Sequence, residues 1–241
     1  MKDNYSEDTY EAIIFDMDGV IINSKDHVEA FWIKKLDQYG IHIPEEKREE
    51  RFHGRPARPT VNDLFAELDE STREQIIEQC AEYDVSVASY PMIPGVNAFI
   101  SKCVETGIRV GLVTSALPGK VERMLTGLSL PSNPFEVMVT ANLVENGKPD
   151  PECYLLAANK MKLNPEKILV FEDSQSGVRA ASKAGTTVIG VNEQKYTNLL
   201  KKAGATLIQK DFTDTNIQNG RAGTLLSIIW KHKNRSFRVS V

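Results

Sequence analysis

The sequence predicts an α/β protein whose doubly wound parallel sheet is interrupted near its start by an inserted α-helical unit. Three observations carry that expectation. Six short apolar runs recur along the 241 residues, mostly separated by segments with helical spacing. The runs are nearly continuous hydrophobes rather than alternating ones, which suits strands covered on both faces. Between Ile22 and Tyr90 the alternation stops and only helical patterns are found.

The first run, Ala12–Phe15, ends abruptly in Asp16-Met17-Asp18-Gly19, so a strand lifts two carboxylates to its C-terminal edge. Apolar residues at helical spacing then mark Val28–Tyr39, Thr60–Leu68 and Thr72–Val87, with Phe31 and Trp32 read as packing residues of the first. Pro91 and Pro94-Gly95 announce the return to the sheet, followed by a helix over Val96–Thr106 that Gly107 stops. The remaining strand runs are Arg109–Val113, Val137–Thr140, Ile168–Phe171, Thr187–Val191 and Thr206–Ile208, joined as right-handed βαβ units. The expected division is a core of residues 1–24 and 91–241 and a helical cap of residues 25–90, with hinges at both junctions. No internal repeat interrupts this scheme.

Net charge of −4 and a pI near 5.7 give no electrostatic case for nucleic acid. The basic stretch Lys231 to Arg238 is read as a solvated tail. Cys80, Cys103 and Cys153 form no Cys-x-x-Cys pair, which argues against a disulfide framework or a zinc site and for a reducing, cytoplasmic setting. Met1 to Glu11 is polar and acidic, unlike a signal peptide, and no run approaches the roughly 20 apolar residues of a membrane span.

In an open parallel sheet ligands bind beyond the carboxyl ends of the strands, so the polar residues that follow apolar runs are the ones to collect. Asp16 and Asp18 are the first set. Thr114-Ser115, after the second run, reads either as a helix N-cap or as a phosphate-oxygen binder. Gly147-Lys148-Pro149-Asp150-Pro151 holds a lysine before a proline-restricted turn, where it suits a cation paired with a carboxylate and a phosphoryl group. Glu172-Asp173 ends the buried run Ile168–Phe171, and two adjacent carboxylates there call for a cationic partner such as a hard divalent ion.

The order Asp16–Gly19, Thr114, Lys148-Pro149, Glu172-Asp173 resembles the haloacid dehalogenase superfamily, whose motifs these residues match over roughly residues 12 to 230. The helical interval resembles the small cap of its β-phosphoglucomutase-like and sugar-phosphatase branch. The resemblance implies a Rossmann-like core in which Asp16 attacks phosphorus and Asp18 serves as acid and base. It also implies Mg2+ held by Asp16, the Asp18 backbone carbonyl and Asp173 with Glu172 in support, while Thr114, Ser115 and Lys148 grip the phosphoryl group. Asp18 weighs against dehalogenase chemistry, because an attacked carbon needs no carboxylic acid there.

Specificity should come from the cap. Phe52 to Thr60, read as a loop between helices, offers His53, Gly54, Arg55 and Arg58 and resembles the substrate-specificity loop of capped members. His27 is read as a hydrated residue on the opening turn of a cap helix, and His42 and His232 as surface residues. The expected activity is Mg2+-dependent hydrolysis of a small phosphorylated sugar or polyol by a monomer, since the cap has to move. The alternative is a sugar phosphomutase, although mutases place a histidine where this chain has Val28 and a lysine where it has His53. A silent binding protein on the same fold is the lesser alternative, and no chemical group is missing to favour it.

Overall fold

The computed structural model describes residues 5–52, 54–219, 225–230 and 233–240. It opens with β1 (Tyr5–Tyr10) and β2 (Ala12–Phe15), the latter entirely buried. Four helices follow: α1 (Lys25–Gln38), α2 (Glu45–Phe52), α3 (Ala57–Leu64) and α4 (Glu70–Val85). The chain then alternates through α5 (Val96–Glu105), β3 (Arg109–Val113), α6 (Pro118–Thr126), β4 (Val137–Val139), α7 (Glu152–Met161), β5 (Ile168–Glu172), α8 (Gln175–Lys183), β6 (Thr187–Val191), α9 (Thr197–Ala203) and β7 (Leu207–Gln209). It ends in β8 (Thr215–Asn219), β9 (Leu225–Trp230) and β10 (Lys233–Ser240).

All-parallel pairing in the order β4-β3-β2-β5-β6-β7 builds the six-stranded sheet. Its inner strands β2 and β5 are buried on both faces, as the continuous apolar runs require, while edge strand β4 leaves Met138 exposed. Ile13 and Phe15 join one apolar layer with Val96, Phe99 and Val121 of α5 and α6. Ala12 and Ile14 join the other, with Tyr154, Ala157, Val178 and Leu200 of α7, α8 and α9. Phe15 is stacked on Phe171 at 5.2 Å between ring centroids and lies edge-on to Phe99. Truncating so buried a ring leaves a cavity costing about 3–5 kcal/mol.

The sheet order reverses at β2: the chain proceeds outward through β3 and β4, then returns to β5 on the other side of β2. Phe15 is therefore in register with Leu112 and with Phe171, so whatever follows β2 faces the ends of β3 and β5. That is the switch point at which open α/β sheets bind ligands.

The helices α1 to α4 share an apolar cluster of their own, containing Phe31, Trp32, Leu36, Phe52, Val61, Leu64, Phe65 and Ile76. Asp69 caps α4 by accepting from the Thr72 N–H at 2.9 Å. Two chain crossings connect this unit to the sheet and hold each other. Asn23 N–H donates to Pro91 O at 2.8 Å, and Ile93 N–H to Ile21 O at 2.9 Å.

Three sequence expectations change. The segment read as one loop from Phe52 to Thr60 is shorter, because Phe52 ends α2 and Ala57 already begins α3. Helix α2, whose run Glu45-Glu46-Lys47-Arg48-Glu49-Glu50-Arg51 is almost wholly charged, had no apolar periodicity to announce it. Residues 233–238 of the expected solvated tail belong to β10, which pairs antiparallel with β9 and parallel with β1 in a second sheet of order β1-β10-β9-β8. Phe237, Val239, Trp230, Ile228 and Tyr10 bury that sheet against the Phe15 layer of the core. Lys231 and His232 lie outside the described residues.

Candidate active site

Asp16 is the first residue beyond β2, held by its N–H donating to Phe171 O at 3.0 Å, and only 6% of its surface is exposed. Lys148, on the loop before α7, brings Nζ to 2.6 Å from Asp16 Oδ1 and 2.6 Å from Glu172 Oε1. Glu172 is saturated. Its Oε1 also accepts from the Tyr154 hydroxyl at 2.9 Å, and its Oε2 accepts from the Asp173 N–H at 2.9 Å and from the Ser174 N–H and hydroxyl at 3.2 Å. With both oxygens engaged, Glu172 fixes Lys148 and the loop after β5. Burial holds the Asp16 carboxyl well above the ordinary carboxylate range, with Lys148 opposing. Burial alone would discharge Lys148, but Asp16 and Glu172 outweigh it and raise its pKa well above the ordinary value.

Asp173, directly after β5, is buried as well. Burial pushes its carboxyl up to about 7 although Lys25 pulls downward. Lys25, in the first turn of α1, places Nζ 3.0 Å from Asp173 Oδ2 and 3.5 Å from Glu49 Oε2 of α2. Asn192, beyond β6, donates to Asp173 O at 2.8 Å and to Glu49 Oε1 at 3.4 Å. One oxygen from each of Asp16, Glu172 and Asp173 lies within 4.8 Å of the others. An all-carboxylate, buried donor set fits a hard divalent cation better than a soft or redox metal. Gly19 completes the wall: at φ +79° it takes a left-handed turn, and an added Cβ would overlap the Asp173 carboxylate.

Asp18 is more open, its side chain 31% exposed. Its Oδ1 accepts from the Ser24 hydroxyl at 2.6 Å and lies 3.1 Å from Lys120 Nζ. Thr114 is buried at the end of β3, next to β2, and its hydroxyl accepts from the Ala116 N–H at 3.1 Å. The α6 N-cap is Leu117, so Thr114 closes the preceding turn and leaves the helix uncapped by a side chain. Ser115 beside it is half-buried.

Of the loop candidates, His53 lies outside the described residues. Gly54 touches the core directly, since Ser176 Oγ donates to Gly54 O at 2.9 Å and a Cβ there would overlap Ser174. Arg55 pairs with Asp63 at 2.8 Å and, with Lys47, Arg51 and Arg179, lines a cavity of about 430 Å³ closed on the core side by Pro149, Gln175 and Ser176. Arg58 points elsewhere: its Nη2 meets Glu74 Oε2 of α4 at 2.9 Å, and its side chain is 58% exposed. His27 is half-buried rather than hydrated, stacked on Tyr83 at 4.0 Å.

The structure thus gathers Asp16, Lys148, Glu172 and Asp173, with Asp18 and Thr114 on the adjoining turns. Sequence reading missed Ser24, Lys25, Glu49, Lys120, Tyr154 and Asn192. Ser24 and Lys25 carried a usable signal, since both follow the Asp16–Gly19 turn within a few residues and precede a helix. Asn192 carried one too, as the polar residue directly after the run Thr187–Val191, while Glu49, Lys120 and Tyr154 come from elements where nothing local marks them.

Residues 13–191 match the haloacid dehalogenase-like hydrolase family. A phosphorylated carbohydrates phosphatase of Thermotoga maritima is 34% identical over 208 residues, covering 83% of this chain and 94% of that protein. Hexitol phosphatase A of Escherichia coli is 31% identical over 219 residues, covering 87% and 96%. The solved β-phosphoglucomutase of Clostridium difficile superposes with a TM-score of 0.70 at 24% identity, covering 84% of this chain and 92% of that one, a likeness of fold.

Proposed function

This chain belongs to the haloacid dehalogenase-like hydrolase family and is a phosphoric monoester hydrolase, and from that premise we propose a Mg2+-dependent phosphatase of small phosphorylated sugars or polyols. The observation that carries this reading is the buried Asp16 carboxylate set between Lys148 and the Glu172-Asp173 pair. A nucleophile, a fixed cation and an acidic metal cradle meet at one strand end.

In this reading an Asp16 oxygen attacks phosphorus, and the bond from phosphorus to the substrate oxygen breaks as Asp18 delivers a proton to that oxygen. Asp18 then takes a proton from water, whose oxygen attacks the phosphoryl group on Asp16 and releases inorganic phosphate and the free carboxylate. Lys148, Thr114 and Ser115 hold the phosphoryl oxygens as charge builds on them. Asp16, Asp173 and the Asp18 backbone carbonyl would hold Mg2+, with Glu172 in support. The ion supplies charge neutralisation for the transferring group.

Residues 25–90 act as a cap on a core of residues 1–24 and 91–241, and the paired crossings at Asn23–Pro91 and Ile21–Ile93 serve as its hinge. Gly54 and Arg55 reach the substrate from the cap. The enzyme works as a cytoplasmic monomer on freely diffusing metabolites, and no described helix is long and apolar enough to cross a membrane. The position where phosphomutases carry a histidine is Val28, which packs on the cap's own apolar cluster, while His27 is stacked on Tyr83.

A panel of phosphorylated sugars, polyols and nucleotides, scored for phosphate release and for isomerisation, tests the proposal. We expect Mg2+-dependent phosphate release from a sugar or polyol phosphate that vanishes in Asp16→Asn. Isomerised sugar phosphate formed faster than free phosphate would transfer the assignment to a mutase.

A further inference from the structure

A second polar cluster spans the seam between helices α4 and α6. Lys120, in the first turn of α6, sits with Nζ 3.1 Å from Asp18 Oδ1 and 3.0 Å from Asp84 Oδ1 at the end of α4, and its side chain is only 14% exposed. Arg123, a turn further along α6, donates to Asp84 O at 3.2 Å, so α4 is anchored here twice. Tyr90, where the chain re-enters the core, is 7% exposed and its hydroxyl has no hydrogen-bond partner among the described residues. Burial first, then Asp84 and Asp18, push that phenol up to about 12, so it is a protonated donor at any working pH. The His27 ring lies edge-on to it at 5.4 Å.

A buried hydroxyl without a partner carries an uncompensated desolvation cost. A bound polar group in the working enzyme would remove that cost. Asp18 shows where the group comes from: the residue that protonates the leaving oxygen must face the leaving group, and Lys120 and Asp84 border the same carboxylate. The chemistry around it is mixed. Lys120 donates, Asp84 accepts and Tyr90 does either, a set that matches hydroxyl groups, which both donate and accept. A second anionic group would meet Asp84, and an apolar ring would leave the Tyr90 hydroxyl unpaired.

We propose that Tyr90, Asp84 and Lys120 form the leaving-group subsite and select a leaving group that carries a hydroxyl on the carbon adjoining the esterified one. This rests on the reading of Asp18 as the acid. It goes beyond the grip on the phosphoryl group, because it places substrate choice on a junction residue and on α6 as well as on the loop around Gly54.

The test compares a hexitol 6-phosphate with 4-nitrophenyl phosphate, which carries no hydroxyl, in wild type, Tyr90→Phe and Asp84→Asn. Thermal unfolding establishes that each variant is folded. The subsite predicts that Tyr90→Phe lowers kcat/KM for the hexitol ester about tenfold more than for the aryl ester, with the loss in KM, as removal of one hydrogen bond implies. Asp84→Asn should discriminate in the same direction. Equal losses on both esters, or none on either, overturn the subsite while leaving the phosphatase intact. Failure of the underlying reading looks different, because wild type would then release no phosphate from either ester, and the subsite falls with it.

Discussion

Lys148 Nζ stands 2.6 Å from Asp16 Oδ1, and the lysine keeps that position because Glu172 holds it from the other side at the same distance. A carboxylate buried this deeply would otherwise take up a proton, as the burial-raised Asp16 carboxyl shows. Lys148→Met should therefore lower kcat at saturating Mg2+ by about 10²–10³, the usual consequence of removing one preorganised charge from a transferring group. Breaking one arm of a buried ion triad also costs about 3–5 kcal/mol, so the variant should melt earlier in metal-free buffer. Wild-type kcat in a folded Lys148→Met enzyme would remove this lysine from the phosphoryl site.

The acidic cradle makes metal loading and stability depend on pH with a definite sign. Asp173 titrates near 7 in the fold against an ordinary 3.8, burial being the main cause. The native state thus binds this proton more tightly than the unfolded chain. Its contribution to metal-free stability is complete below about pH 4 and is lost as pH rises through about 7. In chelator the melting temperature should fall between about pH 4 and 7, and Mg2+ should restore it. Loading must expel the proton, so the half-saturating Mg2+ concentration should rise about tenfold per unit below pH 7. Calorimetry in two buffers of different ionisation heat measures the proton released, and none at about pH 6 would contradict the assignment.

Gly19→Ala should damage the same cradle without touching a charge. The position combines a φ of +79° with a Cβ site already filled by the Asp173 carboxylate. Forcing a side chain there costs about 1–3 kcal/mol of backbone strain and displaces a carboxylate assigned to the metal. Weaker Mg2+ half-saturation with a lower melting temperature is expected, whereas Gly119→Ala, whose methyl meets nothing within 4 Å, serves as the control.

How much of this was legible depended on whether a residue's neighbours in sequence are also its neighbours in space. The strands β2, β3 and β6 were bounded as found, because buried parallel strands write themselves as apolar runs. Asp16, Lys148 and Glu172 follow or flank such runs and could be collected one at a time. Tyr154 could not, since it approaches Glu172 from within α7, whereas Asn192, which reaches Asp173 from just after the run Thr187–Val191, carried the same signal. Strand β10 failed for another reason. Phe237 and Val239 do alternate with Arg238 and Ser240, a half-buried strand signal, but the charge of the preceding segment masked it. Helix α2 is held by its place against the insert's apolar cluster through Phe52, with little amphipathic pattern to read.

Arg55 and Arg58, equivalent as sequence, separate in space. Arg55 lines the 430 Å³ cavity with Pro149, Gln175 and Ser176 of the core, next to the Gly54 carbonyl that receives the Ser176 hydroxyl. Arg58 spends its charge on Glu74 within the insert, in an exposed pair of the kind worth little. Arg55→Ala should raise KM for a sugar or polyol phosphate about tenfold, the value of one charge-assisted contact. Arg58→Ala should change it less than about twofold, while weakening the hold of α3 on α4. Steady-state kinetics of the two variants on one substrate decide the matter. A larger KM effect at Arg58 would mean that the loop after Phe52 turns over during catalysis and presents its other face to the core.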